Sequence, residues 1–312
     1  MAALKGAVTV ALERSERDSL PRTSLFVAGL KGLNLLRNLI VDVEIDLVCS
    51  YESKGTLCDS YEKIQDLCRS HGARFVARSD LQPSMLEGSE LIFCAGWQFL
   101  MLDLDDRYIV FHDSLLPRYR GFAPTVAALI AGDTQLGVSA FRPEPGVDTG
   151  AILGQEALQI TYPATIRDVY RRLGDAYGAL ARRLVATAKT GSLAGTKQVE
   201  AEATYSLWRD ESDYEVDWTQ SAAQIRRLID AVGWPYMGAK TRYLGEDIRI
   251  EQAEELPDLT FVNRQPGKLW VIGPTRDTAD VVCGSGLLRI TKATFADGRH
   301  VIFSSLRQRL GR

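Results

Sequence analysis

Short apolar runs alternate with helix-forming segments along the first half of the chain, and this alternation limits the folds open to it. Brief apolar, β-branched runs are typical of strands that are buried on both faces, as in a parallel sheet. Several of these runs are separated by segments with apolar residues at helical spacing. The pattern predicts strands over 24–29, 45–50, 74–77, 90–95, 108–111 and 137–141, and helices over 32–40, 60–71, 125–131 and 165–190. We therefore predict an α/β fold with a doubly wound, mostly parallel sheet.

The pattern of apolar runs and of Gly and Pro residues changes near residue 195. The long predicted helix, with Thr165 as its N-cap, is followed by a stretch of small, flexible residues over 189–195. Beyond it come a helical segment over 222–231 and short runs broken by Gly and Pro, at 270–272, 280–283 and 287–290, which is typical of a small antiparallel β domain. A chain of 312 residues is also long for a single domain. We predict an N-terminal extension over 1–22, a larger domain over 23–195 and a smaller domain over 200–312.

The composition argues against several classes of protein. A net charge of −3 is unlike that of a chain built to neutralise phosphates, so nucleic acid is not an expected partner. No apolar run approaches the length of a membrane span, and no cleavage site follows the apolar residues 6–12. Five cysteines without a Cys-x-x-Cys pair suggest neither a disulfide framework nor a zinc site. We expect a soluble cytoplasmic protein that has no membrane partner and binds no metal.

One of only three histidines, His112, follows the apolar run 108–111 where the predicted strand ends. Open α/β sheets build their sites at the carboxyl ends of strands, and an imidazole can exchange a proton at neutral pH. Asp148 lies further along in a tight loop between Gly146 and Gly150, which allows its carboxylate to be aimed. We predict that Asp148 fixes the tautomer of His112 and stabilises its charged form. The alternative is structural: a histidine satisfied by a carbonyl, and an aspartate that caps a turn.

Aromatic residues in two other stretches have binding potential. Gly96 permits an unusual turn after the strand over 90–95, and Trp97 and Phe99 can line a pocket for a flat ring, unless they belong to the core. Trp208 offers a face for a sugar or a base, and Arg209 can meet a phosphate or a carboxylate. The alternative for this second stretch is that its aromatic residues attach the smaller domain to the larger one.

The chain closely resembles the N10-formyltetrahydrofolate-dependent formyltransferase family over residues 24–190. The resemblance rests on His112 with Ser114-Leu-Leu-Pro-Arg-Tyr-Arg-Gly121 behind it, Ala123-Pro124, Gly137-Val138 and Gly146-Val-Asp-Thr-Gly150. It implies a Rossmann-like, formyltransferase-type N-terminal domain and a smaller, mainly-β, OB-like C-terminal domain. It also implies that an amine attacks the formyl group carried by the folate, with His112 as the base and Asp148 in support.

The same resemblance implies the ligands and their contacts. N10-formyltetrahydrofolate is the expected cosubstrate, and no metal is expected. The implied cofactor-binding residues are Gly96, Trp97, Phe99, Ser114, Leu115, Leu116, Pro117, Gly146 and Val147.

Residues 204–218, 229–236 and 238–240 are similar to the linker and second domain of bacterial formyltransferases that act on amino sugars. This similarity implies a nucleotide-linked amino sugar as the small-molecule partner, and it allows a homodimer. The expected substrate contacts are Arg118, Arg120, Gly121, Trp208 and Arg209.

Three other functions stay open. A methionyl-tRNA formyltransferase would need a basic track for the tRNA, which the overall charge disfavours. Formylation of another small amine, such as a hydroxyornithine, is a second alternative. An inactive homologue that binds folate or sugar is the third, although the presence of both His112 and Asp148 favours an enzyme.

Val110 departs from the pattern of the family, which has an asparagine two residues before the histidine. That asparagine's amide helps to hold the formyl oxygen, and a valine side chain cannot donate a hydrogen bond. Loss of one such donor costs about 10²–10³ in rate. The neighbouring Asp113 is no replacement, because an ionised carboxylate only accepts. The sequence therefore predicts a His112–Asp148 pair without identifying the donor to the formyl oxygen.

Overall fold

A computed structural model of the chain describes residues 20–52, 59–99 and 105–311. Residues 1–19 of the predicted N-terminal extension lie outside the described residues. Within the described ranges, no helix is both long enough and apolar enough to cross a membrane.

A seven-stranded sheet forms the centre of the larger part of the fold. The strands in this part are β1 (Thr23–Val27), β2 (Ile45–Ser50), β3 (Phe75–Ala77), β4 (Leu91–Ala95), β5 (Tyr108–His112), β6 (Arg120–Gly121), β7 (Gln135–Phe141) and β8 (Ile152–Gln159). The order in the sheet is β3-β2-β1-β4-β5-β7-β8. The first five strands in this order are parallel, and β7 and β8 are antiparallel to their neighbours. His112 therefore lies at the carboxyl end of the last parallel strand.

Within the described residues, four helices accompany the sheet, and two of them pack closely against each other. They are α1 (Gly29–Leu39), α2 (Tyr61–His71), α3 (Pro124–Ala131) and α4 (Ile166–Thr190). Thr165 caps α4, because its hydroxyl oxygen accepts a hydrogen bond from the backbone N–H of Asp168 at 3.3 Å. Gly174 and Gly178 of α4 leave no room for a Cβ atom against the side chains of Asn34 and Asn38. These two glycines let α4 and α1 approach closely on one face of the sheet.

The second part of the chain contains a five-stranded antiparallel sheet. A two-residue strand, β9 (Tyr205–Ser206), comes first and pairs with β6 in parallel. After it come the helix α5 (Ala222–Ala231) and the strands β10 (Ala239–Tyr243), β11 (Glu246–Leu256), β12 (Leu269–Ile272), β13 (Ala279–Val282) and β14 (Leu287–Phe295). The order of this sheet is β10-β11-β14-β13-β12. Ser221 and Gln224 form a capping box at the start of α5.

This architecture confirms the predicted fold class: a mostly parallel sheet with helices, followed by a mainly-β C-terminal part. The alternation of apolar runs located the strands of the first sheet other than β8, which was not predicted. The predictions for the second sheet located β12 and β13 and the first half of β14, and missed β10 and β11. The domain bounds 23–195 and 200–312 stay predictions.

Candidate active site

The two nitrogens of the His112 ring face two different acceptors. Nε2 lies 2.7 Å from the carbonyl oxygen of Tyr119, and Nδ1 lies 3.5 Å from Oδ2 of Asp148. Since a carbonyl oxygen can only accept, Nε2 carries a hydrogen and donates it to Tyr119. In the neutral ring, the lone pair is therefore on Nδ1, the nitrogen beside the carboxylate.

The arrangement suits a base whose charged form is stabilised by a nearby carboxylate. When Nδ1 takes a proton it becomes a donor that faces Asp148, so the opposite charges attract each other in a site shielded from water. The side chains of His112 and Asp148 are 10% and 19% exposed. The sequence predicted that Asp148 fixes the tautomer, and the structure corrects this, because the carbonyl of Tyr119 does so.

Asp148 is positioned by the backbone of two loops. Its Oδ2 accepts a hydrogen bond from the backbone N–H of Gly121 at 2.7 Å, and its own φ of +53° is left-handed. Two residues later, a Cβ atom on Gly150 would lie 1.6 Å from the carbonyl oxygen of Arg142. The loop between β7 and β8 can therefore close only with glycine at position 150, and this closure brings the carboxylate to His112.

The chain between the two sheets supports the loop that carries Tyr119. Tyr119 has a left-handed φ of +57°, and its N–H donates to the hydroxyl oxygen of Thr204 at 2.8 Å. The N–H of Arg120 donates to the carbonyl of Thr204, and that of Phe122 donates to the carbonyl of Ser206. The pairing of β6 with β9 continues this contact. The unusual backbone of Tyr119 is thus held in place by residues far along the chain.

Arg120 differs from its predicted role as a substrate contact. Its side chain is 1% exposed, and its guanidinium binds the carboxylate of Glu200 at 2.9 Å and Oε1 of Gln198 at 2.9 and 3.1 Å. Gln198 in turn donates to the carbonyl oxygens of Asp148 at 2.7 Å and Gly150 at 2.8 Å. Arg120 is buried because it anchors the amide that holds the Asp148 loop, so it has no free surface for a substrate.

Gly121 has a structural role, and its predicted contact with the substrate stays a prediction. Its N–H is bonded to Asp148, and a Cβ atom at this position would lie 2.5 Å from the carbonyl oxygen of Ser206. Glycine is required here because a strand of the linker approaches the backbone so closely.

The residues predicted to bind the cofactor fall into two groups. Ser114 and Leu116 are each 3% exposed, and the hydroxyl of Ser114 donates to the carbonyl of Arg118 at 2.6 Å. These two side chains build the loop from within, and their predicted roles as cofactor contacts stay predictions. The other seven predicted residues keep some exposed surface: Gly96, Trp97, Phe99, Leu115, Pro117, Gly146 and Val147.

An aromatic cluster follows β4. Gly96 has a left-handed φ of +66°, and a Cβ atom there would lie 2.3 Å from the carbonyl oxygen of Ala28. The ring of Trp97 lies 4.9 Å from that of Phe26 and 5.3 Å from that of Tyr51. Its indole Nε1 is buried and has no hydrogen-bond acceptor among the described residues. Trp97 is thus packed among neighbouring rings, and its side chain keeps only part of its surface exposed.

Exposed aromatic side chains lie on the outer side of the site. Trp208 is 60% exposed and packs edge to face against Phe122, with the ring centroids 5.1 Å apart. Phe122 directly follows Gly121, so the pair adjoins the backbone that holds Asp148. Arg118 stays half exposed and pairs with Asp133 at 2.6 Å, and Arg209 is partly exposed. The predicted substrate roles of Arg118, Trp208 and Arg209 stay predictions.

Family models match both parts of the chain. The model described as "Formyl transferase" matches residues 86–184, and the model described as "Formyl transferase, C-terminal domain" matches residues 210–309. Together they cover more than half of the chain, including both His112 and Asp148.

The chain belongs to the formyltransferase family.

Among the curated relatives of this family member is the methionyl-tRNA formyltransferase of Marinobacter nauticus, 37% identical over 182 residues, which are 58% of this chain and 57% of that protein. The methionyl-tRNA formyltransferase of Acidiphilium cryptum is 37% identical over 180 residues, which are 58% of this chain and 55% of that protein. The match thus spans little more than half the length of these relatives.

Solved structures share the fold. A sugar 3N-formyl transferase determined in the presence of dTDP and 5-N-formyl-THF has a TM-score of 0.62 and 15% identity, over 87% of this chain and 97% of that one. The N-formyltransferase of Helicobacter canadensis, in complex with folinic acid and dTDP-3-aminofucose, has a TM-score of 0.61 and 13% identity, over 86% and 98%. HypX of Aquifex aeolicus with tetrahydrofolic acid has a TM-score of 0.60 and 15% identity, over 92% of this chain and 46% of that one.

Asp113, directly beside His112, does not contact the ring nitrogens of that histidine. Its carboxylate is buried and binds the Lys31 ammonium and the Tyr177 hydroxyl, and it accepts a hydrogen bond from the Thr125 hydroxyl at 3.3 Å. Val110, in the position of the family asparagine, packs against the apolar cluster that contains Cys94 and Tyr108. No group of three or more metal-binding side chains occurs within residues 20–52, 59–99 and 105–311.

Sequence reasoning missed the residues that hold the pair in place. Tyr119 acts through its carbonyl, and Gln198 and Thr204 lie in a polar stretch without a recognisable pattern. Only Tyr119 could have been suspected from the sequence. It lies seven residues after His112, in a loop whose proline and glycine predict a turn back toward the strand end.

Proposed function

We propose that this chain transfers a formyl group from N10-formyltetrahydrofolate to the amine of a nucleotide-linked amino sugar. The observation that carries the proposal is the His112 ring, with Nε2 bonded to the Tyr119 carbonyl and Nδ1 facing Asp148. This geometry leaves one nitrogen to accept a proton and places a carboxylate beside it. Membership of the formyltransferase family supplies the class of reaction.

In the proposed transfer of the formyl group, each bond that forms is matched by one that breaks, and each proton has an acceptor. The folate supplies the formyl carbon, to which the amine nitrogen of the acceptor forms a bond while the bond from that carbon to N10 breaks. Nδ1 of His112 takes the proton that the amine loses, and N10 gains one as it leaves. Asp148 stabilises the imidazolium between these two events, and the Tyr119 carbonyl keeps Nε2 protonated throughout.

The aromatic cluster after β4 fits the folate. The ring of Trp97 keeps part of its surface exposed beside that of Phe99, and such aromatic faces suit a flat ring of the size of a pterin. Phe99 offers a ring that is 39% exposed, with the Arg78 guanidinium 3.6 Å from its centroid. Gly146 and Val147 offer exposed loop backbone near Asp148. We assign the cosubstrate to these residues, with Leu115 and Pro117 beside them.

The charges of the second sheet support a small acceptor over a tRNA. A tRNA is held by basic side chains that are free to meet phosphates. Here six basic residues of this region are each paired with a carboxylate at 3.0 Å or less: Lys240, Arg249, Arg264, Arg289, Lys292 and Arg299. The exposed pair of Phe122 and Trp208 offers faces for a base or a sugar next to the catalytic loop.

Formylation of a methionyl-tRNA is the second candidate. The names of the curated relatives favour it, since proteins 37% identical to this chain carry that activity in their names.

We also assign the activity to the cytoplasm, because the buried thiols of Cys49, Cys68 and Cys283 suit a reducing compartment. A homodimer stays a prediction.

A transfer assay separates these candidates. The full chain is given N10-formyltetrahydrofolate and, in separate reactions, dTDP-, UDP- and GDP-linked amino sugars, hydroxyornithine and methionyl-tRNA. We expect turnover with a nucleotide-linked amino sugar and none with the tRNA. Turnover with the tRNA alone would establish the second candidate, and folate binding without any turnover would identify an inactive homologue.

His112→Asn tests the assigned base. It removes the proton-accepting nitrogen, and general-base catalysis contributes about 10²–10⁴ in rate, so the kcat is expected to fall by that factor. His71→Asn is the matched control, because His71 is exposed on α2. A His112→Asn variant with the kcat of the control would remove His112 from its role.

A further inference from the structure

Asp113 is a buried carboxylate directly beside the catalytic histidine, and three elements bind it. It is 3% exposed. Its partners are Lys31 in the first turn of α1, Thr125 in the first turn of α3 and Tyr177 in the middle of α4. A side chain held from three directions fixes the backbone at position 113, and the peptide bond passes that restraint to His112. Asp113 also begins the loop whose Tyr119 carbonyl holds the other end of the ring.

Lys31 occupies an unusual place for a cation. The amino end of a helix carries a partial positive charge, so a lysine in the first turn of α1 is unfavourable there. Burial lowers the pKa of Lys31, but the Asp113 carboxylate and the nearby Tyr236 outweigh that effect and raise it, so the ammonium stays charged. The charge on Lys31 is therefore sustained by Asp113, and the two form a unit.

A chain of contacts leads from this unit to the second part of the molecule. The Lys31 ammonium lies 5.2 Å from the ring centroid of Tyr170 on α4. The hydroxyl of Tyr170 lies 2.5 Å from that of Tyr236, which precedes β10. Burial raises the pKa of both Tyr170 and Tyr177 well above the ordinary value, so both hydroxyls keep their hydrogens. Tyr236 thus contacts, through Tyr170, the cation that balances Asp113.

We propose that Lys31 and Asp113 form a positioning pair for His112, which Tyr236 supports through Tyr170. The ion pair sets where the carboxyl end of β5 lies, and hence where Nδ1 meets the acceptor amine. As far as it concerns the reaction, the inference rests on the formyl transfer proposed above. It extends that proposal to residues outside the contacts assigned above to either substrate.

The kinetic test compares Lys31→Met, Asp113→Asn and the double variant in the full chain. A displacement of about 1 Å can cost about 10²-fold in rate, so each single variant is expected to lose at least about tenfold in kcat with its KM values little changed. In the double variant no buried charge is left unpaired, so the thermal midpoint is expected to recover while the kcat stays low. If the kcat recovers together with the midpoint, the pair only balances charge and the proposal is wrong.

Asp230→Asn is the matched control for loss of a buried carboxylate. Asp230 is 8% exposed and pairs with Arg226 at 2.7 Å on α5, away from His112. We expect it to lower the thermal midpoint without changing the kcat. Lys31→Arg keeps the charge and is expected to recover part of the lost kcat. An equal loss of kcat in Asp230→Asn would attribute the effect to stability and overturn the proposal.

A readout that needs no substrate separates this inference from the proposed reaction. The chain has three histidines, so the ring nitrogens of His112 can be followed by NMR in a histidine-labelled sample, beside those of His71 and His300. Lys31→Met and Tyr236→Phe are each expected to shift the His112 signals and to leave those of His71 and His300 in place. Unchanged His112 signals in both variants would overturn the inference, whether or not any acceptor is formylated.

Discussion

At the scale of single residues, the proposed mechanism divides three tasks among three groups. In that proposal, the Tyr119 carbonyl sets the tautomer of His112, Nδ1 takes the proton, and the Asp148 carboxylate stabilises the charge that results. Asp148 also has a structural role, because its Oδ2 accepts a hydrogen bond from the backbone N–H of Gly121. An informative variant removes the negative charge of this side chain and keeps its shape and its hydrogen bond.

Asp148→Asn is such a variant. The asparagine oxygen can still accept from Gly121, and asparagine tolerates the left-handed backbone at this position. The variant should therefore fold with a free energy of unfolding close to that of the parent. Without the carboxylate the imidazolium is not stabilised, and we expect a loss of about 10²-fold or more in kcat, measured with saturating substrates.

The control for this loss is Asp217→Asn, which changes an exposed aspartate bonded to Thr219 and Gln220 in its own turn. It is expected to keep the kcat of the parent. If Asp148→Asn also keeps it, the carboxylate acts through shape alone and the assigned electrostatic role is wrong.

The sequence located His112 at a strand end and Asp148 in a tight loop between glycines, and the resemblance to the formyltransferase family joined the two into one predicted site. The sequence was not sufficient for Arg120, whose charge suggested a substrate contact. The side chain points inward because Gln198 and Glu200 lie within reach, and nothing near Arg120 in the sequence signals those partners. Orientation of a side chain toward distant residues is a property of the fold.

At the scale of elements, the loop between β7 and β8 is sensitive to the addition of a single methyl group at Gly150. A Cβ atom on Gly150 would lie 1.6 Å from the carbonyl oxygen of Arg142. That oxygen belongs to the backbone, so the loop itself has to move, and Asp148 moves with it.

Gly150→Ala is therefore expected to lower both stability and activity. We expect a free energy of unfolding lower by roughly 2 kcal/mol or more, since backbone strain at a special position belongs to the large effects. The kcat should fall as well, because Asp148 leaves His112. Gly191→Ala is the matched variant: its backbone is extended, and an added Cβ meets no atom within 4 Å. Equal denaturation midpoints for the two variants would contradict this account of the loop.

Two of the elements that the sequence failed to predict, β11 and β8, lack a regular apolar pattern, each for its own reason. β11 contains many acidic residues, and the positions of its buried Ile248, Ile250 and Ala253 do not keep a strict alternation, because the register shifts near Gln252. β8 has no fully buried residue and is the last strand of its sheet, so packing imposes little apolar pattern on it. The buried strands β1 and β4 were predicted because burial on both faces makes the whole run apolar.

At the scale of the molecule, the segment that joins the two sheets belongs to the site. Gln198 holds the Asp148 loop, Thr204 holds Tyr119, and Ser206 packs against Gly121. Arg227 of α5 adds a contact from the second part, donating to the carbonyl of Ile130 on α3 at 3.0 Å. Since these contacts link the joining segment and α5 to the larger part of the chain, we expect the two parts to unfold together.

Buried thiols can test this expectation. Burial raises the pKa of Cys49 and Cys68, in the larger part, and of Cys283, in the second part, each to about 12. The thiolate is the reactive form and exists only above the pKa, so at pH 8 these thiols should not react with iodoacetamide until the chain opens. The Cys58→Ser variant is used, because Cys58 lies outside the described residues.

Labelling is followed by mass spectrometry over a series of urea concentrations. Because the joining segment and the contact of Arg227 tie the two parts together, Cys283 and Cys49 should become reactive at the same urea midpoint. Gln198→Leu removes the amide that links the segment to the Asp148 loop, and it should lower both midpoints together. Labelling of Cys283 at a clearly lower urea concentration than Cys49 in the parent would mean that the second part opens alone. The joining segment would then support the catalytic loops without coupling the two sheets.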